Sequence, residues 1–367
     1  MSKKGRVLVA MSGGIDSTAT AMMMHDEGYE VVGITMKTWD YAQSGSSKKE
    51  TGCCSLDSIN DARAVAVKMG FHHFIVDIRE EFGDYVIDNF VDEYIAGRTP
   101  NPCVLCNTHI KWSSLLKKAD ALDCEFIATG HYALVNELNG RRFISKSADL
   151  KKDQSYVLWG LNQECLARTK FPLGNMHKPE VRKYVHEAGF EEFSKKAESY
   201  EICFVPDNDY RSFLRRRVPG LESKVKGGNF VNTQGEVIGL HEGYPFYTIG
   251  QRKGLGKAFG EPMFVSKIIP DTNTVVLGKI EELLRNGMSV GKVNLQKFET
   301  IPDGLEAITQ IRYNDGGTLS ALKNTEGGKI GVEFFANVKG VAPGQSAVFY
   351  DADDVIGGGI IMGSYLN

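Results

Sequence analysis

Arg6-Val7-Leu8-Val9-Ala10-Met11-Ser12-Gly13-Gly14-Ile15-Asp16-Ser17-Thr18-Ala19 is the stretch on which the reading of the chain turns. Arg6 to Ala10 is an apolar run that reads as a buried strand, and Thr18 to Met24 reads as the start of a helix. A strand, a glycine turn and a helix in succession aim backbone N–H groups and a helix N-terminus at an anion. The paired glycines allow close approach and a positive φ. Ser12 and Ser17 add hydroxyl donors, whereas Asp16 only accepts and would meet phosphate through a bridging Mg²⁺.

The loop lacks the Gly-Lys-Ser/Thr ending of a Walker loop, so no lysine follows it to reach the β/γ-phosphates. The Ser-Gly-Gly-x-Asp-Ser pattern at 12–17 resembles the PP-loop of ATP pyrophosphatases, which holds the pyrophosphate of ATP while a substrate oxygen attacks the α-phosphate. A plain Ser/Gly turn capping a helix is the alternative. The full pattern directly after an apolar strand favours nucleotide binding.

The remaining composition sets bounds. With 367 residues, 42% hydrophobic and 24% charged, and a net charge of −3, the chain suits two or three globular domains. No apolar run approaches the roughly 18 residues of a membrane span. Met1-Ser2-Lys3-Lys4-Gly5 runs directly into the first strand, so a cytoplasmic protein is expected, with no membrane partner. Seven cysteines without a secretory signal argue against a structural disulfide framework.

From 1 to about 130, strand-like and helix-like runs alternate: strands at 30–36, 74–76 and 126–129, helices at 56–69 and 85–96. This predicts a parallel α/β sheet with ligands beyond the carboxyl ends of its strands. Those ends, Met11-Ser12, Met36-Lys37 and Thr129-Gly130-His131, would converge. Gly97-Arg98-Thr99-Pro100-Asn101-Pro102-Cys103-Val104-Leu105-Cys106-Asn107 reads as a stiff, non-helical loop leading into a Cys-x-x-Cys pair. That pair fits half a zinc site, a redox pair or part of a cluster. Zinc would need two further ligands such as Cys53 and Cys54, and adjacent cysteines rarely serve one tetrahedral ion together. Lys152-Asp153-Gln154-Ser155-Tyr156 opens a helix, 179–188 is another, and Cys203, alone in an apolar stretch, reads by itself as a buried core thiol. After the basic helix 209–217 the chain turns to strands. The Gly-rich segment 249–256 fits a phosphate-contacting loop or a solvated one equally, and about six short strands beyond 285 suggest a small β-barrel.

Ser-Gly-Gly-Ile-Asp-Ser at 12–17, the 97–107 segment, Ile127-Ala128-Thr129-Gly130-His131-Tyr132-Ala133, 152–161, Glu201 to Val205, Tyr247 to Gly256, Ile311 to Asn314 and Ala342 to Asp351 together resemble the bacterial tRNA-specific 2-thiouridylases, in family order and over nearly the whole chain. The resemblance implies three domains: a PP-loop domain at 1–207, a small, mostly-β tRNA-binding domain at 208–284 and a C-terminal β-barrel at 285–367. It implies ATP bound by Ala10, Met11, Ser12, Gly13, Gly14, Ile15, Asp16 and Ser17, with Met36 and Gly130 on the adenine side. The implied reaction is adenylation of the uracil 2-oxygen at wobble position 34 of tRNAs for Glu, Gln and Lys. A persulfide on Cys203, loaded by a sulfur-carrier protein or cysteine desulfurase, then delivers sulfur, with Cys106 as nucleophile or resolving thiol. Asn101, Pro102 and Cys103 would meet the target base. Lys152, Asp153, Gln154, His131, Arg312, Tyr313 and Gln345 would contact tRNA, and Arg211 to Arg217 with Arg252 and Lys253 would hold phosphates. Some family members carry Asp at the position of Cys103, where it is a candidate base. Cys103, Cys106 and Cys203 could alternatively hold a 4Fe–4S cluster. A monomer is expected. The competing readings are another PP-loop RNA- or amide-modifying adenylating enzyme, which would not need the cysteines, and a non-catalytic nucleotide- or RNA-binding protein.

Overall fold

A computed structural model describes residues 4–39, 55–194, 202–205 and 207–366; Cys53 and Cys54, weighed above as zinc ligands, lie outside them. The chain divides into two compact units. The first comprises 1–86, 103–208 and 353–355; the second comprises 87–102, 209–352 and 356–367.

In chain order the elements begin with β1 (Arg6–Ala10), α1 (Ile15–Asp26), β2 (Glu30–Lys37), α2 (Leu56–Met69), β3 (His72–Asp77) and a short α3 (Arg79–Phe82). A π-helical turn at Gly83–Ile87 and α4 (Asp88–Ile95) follow, so the single helix expected over 85–96 is interrupted. Next come α5 (Pro102–Leu105), a second π-helical turn (Cys106–Lys111), α6 (Trp112–Ala121), β4 (Phe126–Ala128), the hairpin β5 (Leu134–Leu138) and β6 (Arg141–Ser145), α7 (Gln163–Arg168), β7 (Thr169–Lys170), α8 (Lys178–Glu187) and α9 (Glu191–Ser194).

The first unit is the expected parallel sheet, in the order β3-β2-β1-β4-β7. β1 is central and Val7, Leu8 and Val9 are fully buried, which is why its sequence is a continuous apolar run rather than an alternating one. Strand order reverses at β1, placing the carboxyl ends of β2 and β4 on either side of its own. That is the switch point where doubly wound sheets bind ligands. Thr35 Oγ1 donates to the Met11 carbonyl at 2.7 Å and pins the ends of β1 and β2 together. α1 packs through Ile15, Ala19 and Met22 in one core with Val181 and Val185 of α8.

Pro102 does not belong to a non-helical loop: it begins α5. Proline lacks the N–H that a first helical residue cannot use and has φ already set for a helix. Cys103 and Cys106 therefore lie three residues apart on a helical segment, where Cys103 is exposed and Cys106 buried.

The second unit holds α4, α10 (Tyr210–Arg217), α11 (Leu221–Val225), a four-stranded sheet and a barrel. The sheet runs β10 (Phe264–Ile269), β11 (Thr274–Gly278), β8 (Gly228–Val231), β9 (Val237–His241). The barrel, expected from the short strands, has six: β12 (Leu284–Leu295), β13 (Leu305–Gln310), β14 (Thr318–Thr325), β15 (Lys329–Lys339), β16 (Ser346–Asp351) and β17 (Asp354–Tyr365). Their order is β12-β15-β14-β13-β16-β17, and β12 pairs β17 to close the ring around Met288, Val290, Leu322, Val332, Phe349 and Ile356.

Within this unit the Pro343–Gln345 turn clamps the segment that leads to Asn101. Thr99 N–H donates to the Pro343 carbonyl at 2.9 Å, and Gln345 Nε2 donates to the carbonyls of Pro100 at 2.7 Å and Thr99 at 3.2 Å. Replacing Gln345 with Ala leaves both carbonyls without that donor. It is expected to cost about 1 kcal/mol and to speed amide hydrogen exchange at Thr99, read by mass spectrometry.

Candidate active site

The Gly-rich loop joins β1 to α1 at the switch point and is tied by its own hydroxyls. Ser17 Oγ accepts from Ser12 N–H at 3.1 Å and donates to the Gly14 carbonyl at 3.0 Å. Gly13 has φ +70°, and a Cβ there would come within 2.1 Å of the Ser58 carbonyl oxygen. The glycine is thus demanded twice, by backbone conformation and by α2. Gly130, just past β4, would drive a Cβ to 2.9–3.0 Å from Asp16 and the Ser17 nitrogen. The absence of a side chain at Gly130 thus leaves room beside the start of α1. There the first-turn N–H groups have no acceptor inside the helix.

Asp16 does not stand alone. Both its oxygens lie 2.7 Å from Lys178 Nζ, and Tyr132 OH donates to Oδ1 at 2.8 Å. Gln154 holds Tyr132 in turn: its Oε1 accepts from Tyr132 N–H at 3.0 Å, and its own N–H donates to the Tyr132 carbonyl. Gln154 is thus placed two steps from the loop. Asp153 accepts from Ser147 N–H and Ser155 Oγ, and burial raises its carboxyl above the usual range. The helix expected from 152 is a 3₁₀ turn, Ser155–Leu158, built on those bonds.

A Mg²⁺ ion would need Asp16 oxygens that Lys178 now occupies, so the donor set as arranged does not fit a cation. Among the described residues no three His, Cys, Asp or Glu side chains are gathered as a cation site. Cys103, Cys106 and Cys203 are accordingly not gathered into one such group in this structure.

The thiols differ in environment. Cys124 and Cys165 are buried, and desolvation pushes the first up to about 11 and raises the second, as befits inert core thiols. Cys203 is not the core thiol that its surroundings suggested. It is half-buried, while Phe204 and Val205 beside it are each 1% exposed and Phe204 packs edge-on against Phe82. The two neighbours anchor the segment that carries it. Cys106 opens the π-helical turn whose Asn107 Nδ2 bonds the Val157 carbonyl at 3.1 Å. Cys103 carries open surface but sits among dense protein, which raises its thiol above the usual value, against the opposing pull of Lys111. Lys111 also faces His131, whose imidazole is pushed down to about 3, mainly by burial. His131 Nδ1 bonds Thr129 Oγ1 at 2.8 Å and the ring lies 5.6 Å from that of Trp112. Lys111 and Lys178 were not singled out from the sequence; each reaches its partners only through the fold.

The comparisons with known proteins now bear on this geometry. The family described as tRNA methyl transferase HUP domain matches residues 5–207, the tRNA methyl transferase PRC-barrel domain 211–279 and the aminomethyltransferase beta-barrel domain 286–361. A "tRNA-specific 2-thiouridylase MnmA" of Cytophaga hutchinsonii is 62% identical over 367 residues, covering 100% of this chain and 99% of that one. The chain belongs to the tRNA-specific 2-thiouridylase family. Thiouridylases of Amoebophilus asiaticus (61% identical, 99% of this chain and 96% of that one) and Salinibacter ruber (55%, 98% and 95%) agree. The fold expected from the sequence, a parallel PP-loop sheet, a small central domain and a C-terminal β-barrel, is the thiouridylase arrangement of these matches.

In the second unit the residues expected to meet tRNA are less uniform. Tyr313 is 47% exposed, whereas Arg312 donates to the Lys339 carbonyl at 2.7 Å and Gln345 to the 99–100 backbone. The basic helix spends much of its charge internally: Arg211 on the Gly254 carbonyl, Arg215 on Glu242 and Arg217 on Asp88. Arg252 and Lys253 remain exposed on a loop that Gln251 braces through the Lys253 carbonyl at 2.9 Å.

Two outcomes follow from this geometry. Gly130→Ala should weaken ATP binding about tenfold or more, because a methyl there must displace α1 backbone; titration calorimetry reads it. His131 has an ordinary value of 6.5 and a folded value of about 3. Its contribution to stability is therefore complete above pH 6.5 and is lost as pH falls from there toward 3, where the unfolded chain binds the proton first. Urea unfolding at pH 7.5 and 5.0 should show this loss, and His131→Asn should reduce it.

Proposed function

We propose that this chain uses ATP to thiolate tRNA at the 2-position of the wobble uridine, in tRNAs for Glu, Gln and Lys. The observation that supports the reading is the loop at 10–17 at the strand switch point, in a chain matched end to end by thiouridylases. Those full-length relatives do not favour the alternative of another PP-loop adenylating enzyme, which has no use for the paired cysteines.

In the proposed sequence ATP lies with its phosphates at the loop and the N-terminus of α1, and its adenine toward Met36 and Gly130. The uracil 2-oxygen attacks the α-phosphorus and pyrophosphate leaves, turning a poor leaving oxygen into AMP. The outer sulfur of a Cys203 persulfide attacks C2 and AMP departs. The Cys106 thiolate then attacks the Cys203 sulfur, forming a Cys106–Cys203 disulfide and leaving the thiocarbonyl on the base. An external thiol reduces that disulfide, and a sulfur-carrier protein or cysteine desulfurase reloads Cys203. His131, neutral at working pH, can accept a hydrogen bond or donate one to RNA without carrying charge. Asn101, Pro102 and Cys103 face the base; Lys152, Asp153, Gln154, Arg312, Tyr313 and Gln345 form or support the tRNA surface. The proposed domain limits are 1–207, 208–284 and 285–367, in a cytoplasmic monomer.

Nucleoside mass spectrometry on unmodified tRNA incubated with the protein, ATP, Mg²⁺ and a sulfur source tests this. Wild type should form 2-thiouridine, and Cys203→Ser should lose roughly a thousandfold or more, the scale of removing a covalent nucleophile. Thiolation by Cys203→Ser at the wild-type rate would remove the persulfide role. AMP release without any thiolated base would sink the function.

A further inference from the structure

Cys103 and Cys106 stand three positions apart in an unbroken helical run, from Pro102 through the π-helical turn at Cys106–Lys111 to Ala121. Leu105, between them, has φ −58° and ψ −45°, so the helix does not break before Cys106. Residues spaced by three in a helix have Cα atoms about 5 Å apart, inside the roughly 4.4–6.8 Å that a disulfide spans. Cys103 lies in the first turn, where N–H groups have no acceptor inside the helix and the backbone can tighten around a new bond. The other side is held: Val104 is buried, and Asn107 Nδ2 bonds the Val157 carbonyl at 3.1 Å. The two cysteines differ in access, since Cys106 is 8% exposed and Cys103 is an exposed residue. The cycle proposed above ends with Cys106 bonded to Cys203, which is itself half-buried. Neither sulfur of that disulfide belongs to an exposed residue, and thiol–disulfide exchange depends on access to the sulfur under attack. An exposed thiol one turn away on the same helix removes the obstacle.

We propose that Cys103 is the resetting thiol of the cycle: with Cys106 it forms a second, transient disulfide that passes oxidation from the buried site to the surface. The Cys103 thiol gives its proton to solvent, and its thiolate attacks the Cys106 sulfur of the Cys106–Cys203 disulfide. The Cys103–Cys106 bond forms, the Cys106–Cys203 bond breaks, and Cys203 leaves as a thiolate with the electron pair, ready to be reloaded. A dithiol reductant then attacks the Cys103 sulfur and Cys106 leaves as a thiolate. The second sulfur of the reductant closes its own disulfide and frees Cys103, so two electrons pass from the reductant to the cysteines. The proposal rests on the thiolation cycle above and gives its external reduction step a route. Packing around Cys103 holds its thiol above the ordinary value, against the pull of Lys111. A thiolate of raised pKa is intrinsically the more nucleophilic, which suits a residue whose target is a disulfide.

The first test uses the unaltered full chain. Equilibrated in a series of glutathione redox buffers, alkylated and cut with trypsin, it should yield the peptide Thr99–Lys111 lighter by the hydrogens that a disulfide loses, with both its cysteines unalkylated. Only glutathione adducts or alkylated thiols at Cys103 and Cys106 across the series overturn the proposal, whatever the chain does to tRNA. The second test follows one round of thiolation by protein carrying sulfur on Cys203, with ATP and unmodified tRNA and no reductant. Wild type should end with the looped Thr99–Lys111 peptide and an alkylated Cys203 in the peptide 197–211, whereas Cys103→Ser should end with those two peptides cross-linked. With thioredoxin as reductant, the steady-state rate of Cys103→Ser, taken relative to its own first round, should fall about tenfold or more, the advantage of a thiol held in place over one arriving from solution. Excess of a small phosphine should restore that ratio. An unchanged ratio with thioredoxin, or a Cys106–Cys203 cross-link that persists in wild type, overturns the proposal while the thiolation reading stands. The wild-type arm decides alone if Cys103→Ser makes no thiouridine. A wild type that makes none overturns the functional reading and the resetting role with it.

Discussion

β1 is hydrogen-bonded on both edges, to β2 and to β4, and this double pairing is the constraint from which the site follows. A strand held on both sides cannot shift its end, so the loop at its carboxyl terminus starts from a fixed point. α1 then leaves in a direction set by Ile15, Ala19 and Met22 in the core. Met11 enters the same core and its carbonyl is held by Thr35. The N-terminus of α1 is therefore pre-aimed, and whatever binds there meets N–H groups that need little reorganisation.

Much of this could be read from residues 6 to 24 alone. An unbroken apolar run signals a strand buried on both faces, and the glycine pair marks a loop whose backbone must approach a ligand. The barrel was legible too, since short strands broken by Asp315-Gly316-Gly317 and Glu326-Gly327-Gly328 leave few other architectures. What escaped were contacts between segments distant in sequence. Lys178 looks like any surface lysine before a proline until α8 is laid on α1. β7 has two residues and no periodicity to detect. The prolines flanking Asn101 read as a stiff, non-helical loop, whereas the second of them, Pro102, starts a helix.

The cysteines show the same division between local and tertiary information. Composition cannot rank Cys124, Cys165 and Cys203, since each sits near apolar residues. Folding separates them: two are buried and desolvated, while the third is half-buried beside two buried neighbours. Burial thus sets Cys203 apart from Cys124 and Cys165 in a way that the sequence around it does not.

The interleaving of the two units bears on how the chain is made. Residues 87–102 belong with the second unit, although the first unit surrounds them in sequence. α4 buries Phe90 against Phe213, its end is capped through the Ile95 carbonyl by Tyr244 OH, and the following turn waits for Gln345, 245 positions on from Pro100. On a ribosome moving from the N-terminus, α4 emerges long before anything that can cover its apolar face. Native docking of that helix is therefore delayed until residues through Tyr244 have been synthesised, and the turn after it is held only once Gln345 is made.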